Sequence, residues 1–368
     1  MKVLLDVSHP AHVHFFKPIG RELIERGHGV LLALRAKDNA AVLAAASGLP
    51  LASPPANRWS GHRPGGGLVQ RGMELGARVR WLRSVIREED VNLLMTRNPS
   101  GVLAGRAVGI PTIFDSDDGA SAKLHFALGK PFATIVTTPE LLGADLGSRH
   151  RKYHGLKSSV FLSPQRFTVD QAVREHYGVD SRVPLFTARF SANDSSHDRN
   201  VRSMPEQFVA AIREALESKG ALVLSIEGQG TVLSLPRVDG ISRTIVTVEP
   251  SDFLHLLGNS ELFVGDTGSV AMEAVALGVP ALSISDLSRP ILRALEKDHG
   301  VVENFTWAEQ DGFRARLDEW LHDKGLHEGH ATRSARLLAS FDDLVPWFAD
   351  LAESLLYSRE APAGRRAP

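Results

Sequence analysis

Short apolar runs alternate along the chain with longer stretches in which apolar residues return every three or four positions. This alternation predicts strand, helix, strand over most of its length. Val3 to Val7 reads as a buried strand, Phe15 to Arg26 as a helix closed by Gly27, Val30 to Leu34 as a second strand and Asn39 to Ala46 as a second helix. Val91 to Thr96 is a third strand, and Pro99, whose missing N–H is not needed in a first turn, opens the next helix. Thr112 to Asp115 and Ala133 to Thr137 are further strands. Strands joined through helices pair in parallel with right-handed crossovers, so the series predicts a doubly wound sheet.

Ser163 to Pro184 carries no strong strand pattern and contains two prolines, which places a domain boundary there. A second series follows: strand Leu185 to Phe190, helix Pro205 to Lys219, strands Ala221 to Ile226 and Thr244 to Val248, and a short helix Asp252 to Leu257. Strand Leu262 to Gly265, helix Gly268 to Leu277 and strand Ala281 to Ile284 complete it. Helical patterns run from Ala308 to Leu356, and the Ala-, Pro- and Arg-rich tail within 358–368 is expected to be disordered. The expectation is an α/β chain with one Rossmann-like domain over 1–165 and a second over 180–340.

A length of 368 residues suits two such domains, and 43% hydrophobic with 23% charged residues is an ordinary globular balance. A formal charge of -1 provides no global field for nucleic acid, so no nucleic-acid partner is expected. The absence of cysteine excludes disulfides, thiolate metal sites and a cysteine nucleophile. It also fits a cytoplasmic setting. The opening MKVLLDVSHP carries no secretory pattern, and no run approaches a membrane span.

Four segments carry candidate chemistry. In Val264 to Pro280 a strand ends in Gly265-Asp-Thr-Gly-Ser269 and a helix begins, so its first-turn N–H groups and the hydroxyls of Thr267 and Ser269 share one point with Gly268. Such a turn cradles an anion. Glu273, a turn further on, is positioned to accept hydrogen bonds from ribose hydroxyls. The alternative is a tight turn with Ser269 as an ordinary cap. The first strand is followed by His9, His12 and His14, at the strand end where parallel α/β sheets bind ligands. They are read as acid–base candidates in a loop, with His14 preferred as the base. The alternatives are capping or core-edge histidines, or a metal site with Asp115, Asp117 and Asp118; no metal is expected.

Arg189, with Ser191 and Asn193, follows the first strand of the second series and is suited to neutralise a departing diphosphate. A salt bridge between domains is the alternative. Arg58 to Arg87 holds seven arginines against one acidic residue, Glu74. Its helical face from Arg78 to Arg87 suits an anionic membrane surface, the alternative being a core-packed helix with solvated arginines.

Asp6 to Phe16 with Gly27 to Val30, Arg35 to Asn39, Arg189-Phe190 to His197-Asp198 and the Gly265 to Pro280 turn occur in the order of a prokaryotic family catalogued as domain of unknown function 354, which the chain resembles. The resemblance runs from residue 1 to about residue 300. It implies a GT-B fold of two Rossmann-like domains facing across a cleft, with helices around 341–357 crossing back to the first. The second half looks like the nucleotide-binding half of UDP-GlcNAc 2-epimerases and of the N-acetylglucosaminyltransferase of peptidoglycan synthesis. Two departures stand out: Asp266 where the family has Glu, and Ser8-His9-Pro10-Ala11 where the epimerases carry an Arg-Pro-Glu turn.

The resemblance implies a metal-independent glycosyltransferase that takes a nucleotide-sugar, UDP-linked by expectation, as substrate and not as cofactor. The acceptor would be a glycan or lipid-linked hydroxyl in cell-surface polysaccharide synthesis. Phosphate contacts are expected from Arg189, Thr267, Gly268 and Ser269, ribose contact from Glu273 and base contact from backbone near Val248. The enzyme is expected in the cytoplasm, with peripheral contact at the inner membrane face. A non-hydrolysing 2-epimerase and a non-catalytic sugar-nucleotide-binding protein are the alternatives.

Overall fold

The computed structural model describes residues 1–35, 40–53, 68–117, 123–191, 204–226, 229–235, 245–287 and 289–357. They divide into two compact units, Met1–Phe161 with the segment that begins at Asp342, and Leu162–Phe341. The first unit runs β1 (Lys2–Val7), α1 (Pro10–Glu25), β2 (Gly29–Leu34), α2 (Ala40–Ala46), α3 (Leu68–Glu88), β3 (Leu93–Thr96) and α4 (Pro99–Val108). It continues with β4 (Thr112–Asp115), α5 (Lys123–Gly129), β5 (Ile135–Pro139), β6 (His150–Tyr153) and the single turn α6 (Ser159–Leu162). The sheet order is β2-β1-β3-β4-β5-β6 and every pairing is parallel, as the strand–helix alternation predicts.

The second unit holds α7 (Ala172–His176), β7 (Leu185–Phe190), α8 (Glu206–Glu217), β8 (Ala221–Ile226), β9 (Gly230–Ser234), β10 (Ile245–Thr247), α9 (Phe253–Gly258) and β11 (Leu262–Gly265). α10 (Gly268–Ala276), β12 (Ala281–Ile284), α11 (Pro290–Ala294), β13 (Glu303–Phe305), α12 (Gln310–Trp320) and α13 (Leu326–Ser340) follow. The order β10-β9-β8-β7-β11-β12-β13 is parallel from β8 to β13, but β9 runs antiparallel to β8 and β10 antiparallel to β9. Expected parallel pairing fails at this edge for a physical reason. Too few residues separate β8 from β9 for a helical crossover, so the chain turns straight back.

α14 (Leu344–Tyr357) belongs to the first unit and lies on α1. Phe348 meets Phe15 edge to face at 5.2 Å, and Arg26 pairs with Asp350 and Glu353. α1 begins at Pro10, five residues before the helix read from apolar spacing, because His9 caps it by accepting the Ala11 N–H at 3.2 Å. His12 and His14 therefore stand on a helix, not in a loop. Two positions apart they diverge by roughly 200° around the helix axis.

The membrane face proposed for Arg78 to Arg87 needs correcting at its first residue. Arg78 is only 4% exposed and turns inward, donating to Asp6 Oδ1 at 2.5 Å and to the carbonyls of Ala33 and Leu34. Leu82, Val85 and Ile86 bury the same helix against Leu4, Ala33 and Leu94. Arg80 and Arg87 are exposed, whereas Arg83 is half-buried, so the helix presents a mixed face in place of a continuous basic one. The Pro64 to Gly67 run before it lies outside the described residues.

Candidate functional site

Each sheet reverses strand order once, between β1 and β3 in the first unit and between β7 and β11 in the second. Loops leaving the carboxyl ends of such neighbours run to opposite faces and open a crevice where α/β sheets bind ligands. In the second unit Gly265 on β11 pairs with Arg189 on β7. A Cβ at Gly265 would stand 2.1 Å from the Arg189 carbonyl oxygen, so only glycine lets the strands meet there. Asp266 then accepts from the Ser191 N–H at 2.8 Å and from its hydroxyl at 3.2 Å. The carboxylate ties the two strand ends together, a task that Asp performs without the extra methylene of Glu.

Thr267 is the extended N-cap residue of α10, yet its side chain makes no cap bond, and its buried Oγ1 has no partner among the described residues. Gly268, Ser269 and Val270 form the first turn, whose N–H groups have no intrahelical acceptor. Arg189 is the backbone neighbour of Gly265, and its guanidinium is held toward β8, donating to Ser225 Oγ at 2.6 Å, which also accepts from Thr231 on β9. The sequence reading missed Arg289. It donates to the Asp266 carbonyl, and its Cδ and Nε lie 3.0 Å from where a Gly268 Cβ would be. The signal was Arg289-Pro290, a cation just before a helix start, but its contact with a turn 20 residues earlier is invisible to local pattern.

Glu273 lies in the second turn of α10 and is 7% exposed. Val248 packs its side chain into the core and spends its N–H on the Thr231 carbonyl, so a base contact there falls to other backbone atoms. Asn193, His197, Asp198 and Asp118 lie outside the described residues.

In the first unit the strand ends bring together Ser8, His9 and His12 from β1 and α1, Arg97 and Asn98 after β3, and Asp115 and Asp117 from β4 and just beyond. Arg97 bridges the carboxylates of Asp115 and Asp117, Lys157 Nζ meets Asp117 at 2.9 Å, and Thr137 donates to Asp115 at 2.8 Å. Asp115 and Asp117 thus face cations, where a metal site with the histidines would need them to converge on it.

Beneath this cluster Asp6 joins Arg78 to Thr96. Burial alone would raise Asp117, but Arg97 and Lys157 override it and hold the carboxyl well below its ordinary range. Burial wins at Asp115, which is raised despite Arg97. Burial, reinforced by Arg97, His9 and Lys157, keeps His12 neutral well below its ordinary value.

His14, the preferred base in sequence, stacks on Phe161 at 5.3 Å, and burial with Lys17 nearby lowers it to about 4. A base this weak is a poor match to a hydroxyl proton. Its folded value lies below its unfolded one, so the unfolded chain takes the proton first and stability drains as pH falls from 6.5 to about 4. Thermal unfolding of His14→Phe should therefore lose less stability over that window, by up to about 1.4 kcal/mol per pH unit. Parallel stability curves for variant and wild type would contradict the assignment.

Comparison with solved structures identifies the architecture. The chain is similar to the S. aureus MnaA–UDP co-structure (13% identity, 100% of this chain and 99% of that one, TM-score 0.67). It is similar also to the UDP-GlcNAc 2-epimerase of Methanocaldococcus jannaschii in complex with UDP-GlcNAc and UDP (17% identity, 88% and 94% covered, TM-score 0.60). The glycosyltransferase SsfS6 of Streptomyces sp. SF2575, complexed with thymidine diphosphate, gives 17% identity, 95% and 99% coverage and a TM-score of 0.56. No protein-family model and no curated sequence matches the chain. At these identities the likeness establishes the fold alone: α/β, of the GT-B type, with two Rossmann-like units.

Proposed function

We propose that the protein is a glycosyltransferase that moves a hexosyl or N-acetylhexosaminyl group from a UDP-linked donor to a hydroxyl of a glycan or glycolipid, without a metal. The observation that carries this reading is the turn at the head of α10, where the Thr267 hydroxyl, unpartnered among the described residues, and the first-turn N–H groups meet at the strand-order reversal, beside the backbone of Arg189. A diphosphate is the oxyanion such a group suits, because bond breaking leaves new charge on it. In the transfer, the bond from sugar C1 to the β-phosphate oxygen breaks, a bond from C1 to the acceptor oxygen forms, and the acceptor proton departs. The second unit holds the nucleotide, with Glu273 toward the ribose, and the cluster around Arg97 receives the acceptor. Motif order supports assigning the chain to domain of unknown function 354.

UDP bound only to the folded state stabilises it by about 2.7 kcal/mol at a hundredfold excess over Kd. That raises the melting temperature by roughly 5–10 °C in a unit of this size. Ser269→Ala combined with Glu273→Ala is expected to abolish most of the rise. An undiminished rise in the double variant would move the site elsewhere, and no rise with UDP-, GDP-, dTDP- or CMP-sugars would overturn the nucleotide reading. Similarity to the 2-epimerases keeps a second reading in view. Free epimerised sugar nucleotide formed without any acceptor would favour it over transfer.

A further inference from the structure

We infer that His12 serves as a hydrogen-bond donor, presenting Nε2–H to an acceptor-side substrate oxygen that carries or develops negative charge, and not as the base that removes the acceptor proton. The identity of that oxygen rests on the transfer reading; the direction of the hydrogen bond does not. The backbone N–H of Ser8 points at His12 Nδ1 from 3.4 Å, and the Ser8 hydroxyl stands at the same distance. An amide N–H can only donate, so Nδ1 must keep its lone pair, and the single proton of the neutral ring sits on Nε2. Among the described residues no protein group bonds Nε2, which leaves it to a ligand.

Three surroundings oppose the alternative. A base at Nε2 needs its lone pair there, which puts the ring proton on Nδ1, head-on against the Ser8 N–H. Protonation of Nε2's lone pair would then yield an imidazolium in the first turn of α1, at the positive end of a 16-residue helix. The charged groups around the ring are Arg97 and Lys157 against Asp117, with His9 beside it at 6.0 Å between ring centroids. His9 repeats the arrangement: its Nδ1 accepts the Ala11 N–H, so it too carries its proton on Nε2. The His12 imidazole therefore offers an N–H at the head of α1, where a carboxylate, phosphate or polarised carbonyl oxygen is favoured.

Ring-nitrogen NMR of the full chain with isotopically labelled histidine reads the tautomer directly, without substrate. His12→Gln identifies the His12 signals by their loss, and His12→Asn does so if the glutamine variant does not fold. The expected result at neutral pH is an unprotonated Nδ1 and a protonated Nε2; a protonated Nδ1, or a charged ring, overturns the inference. Activity supplies a second readout once an acceptor is in hand. Glutamine carries an amide N–H near the reach of Nε2 but no basic nitrogen, so a donor role predicts that His12→Gln recovers at least tenfold, as an order of magnitude, over His12→Ala. Loss of a base instead costs about 10²–10⁴ in both variants, and equal losses would overturn the donor role. A protein that binds no nucleotide would sink the transferase reading while leaving the tautomer result standing.

Discussion

Replacing Arg97 by alanine is expected to destabilise the protein by about 3–5 kcal/mol, because it strands buried carboxylates that have lost their main counter-charge. Arg97 is 7% exposed and bridges Asp115 and Asp117, both of which are buried. Lys157 reaches only Asp117, and Thr137 offers Asp115 a neutral hydroxyl. For a unit of this size the melting temperature should fall by roughly 6–20 °C. The penalty comes from the unpaired charges, so Arg97→Met combined with Asp115→Asn and Asp117→Asn should recover part of the loss. A fall in Arg97→Ala smaller than about 2 °C would mean that the cluster is solvated or already neutral. Acid should mimic the mutation in part. Asp117 is depressed in the folded state, so its contribution is complete above its unfolded value and is lost as pH drops toward the folded one.

Gly265→Ala should have a comparable effect for a steric reason, and it should also reach the nucleotide. The added methyl would lie 2.1 Å from the Arg189 carbonyl oxygen, and it is fixed to a backbone that, like that carbonyl's, is hydrogen-bonded into the sheet. Neither can swing aside like a side chain, so β7 and β11 must separate. Overpacking of this kind costs about 1–3 kcal/mol and occasionally more. Separation shifts Arg189 and breaks the alignment of Asp266 with Ser191, so thermal stabilisation by UDP should vanish along with stability. Gly72 is the control. It lies in α3 with nothing within 4 Å of its Cβ position, and alanine there should stabilise by about 0.5–1 kcal/mol. A Gly265→Ala protein that melts like wild type and still responds to UDP would refute the close approach.

Apolar periodicity by itself determined the number and sequence of the central strands, the two strand–helix series and the turn at Gly265 to Ser269. Those are local properties: β1 is buried along nearly its whole length, and so are β4, β5 and β12, which makes each a largely apolar run even where it carries a buried aspartate. Elements without such runs escaped it. β6 reads His-Arg-Lys-Tyr with two exposed positions, and β13 is half-buried throughout. These edge strands are held by backbone pairing to a neighbour, which leaves little trace in residue type.

The start of α1 escaped for a related reason, since its cap is an imidazole nitrogen where a short hydroxyl or carboxylate is usual. Only the tertiary structure decided the inward turn of Arg78, 72 residues from Asp6, and the bridge from Arg97 to carboxylates 18 and 20 residues later. It alone laid Arg289 over Gly268 and set a backbone N–H against His12. Charges and hydrogen bonds act across space between residues that chain order keeps apart, and a reading of neighbours along the sequence has no measure of that distance.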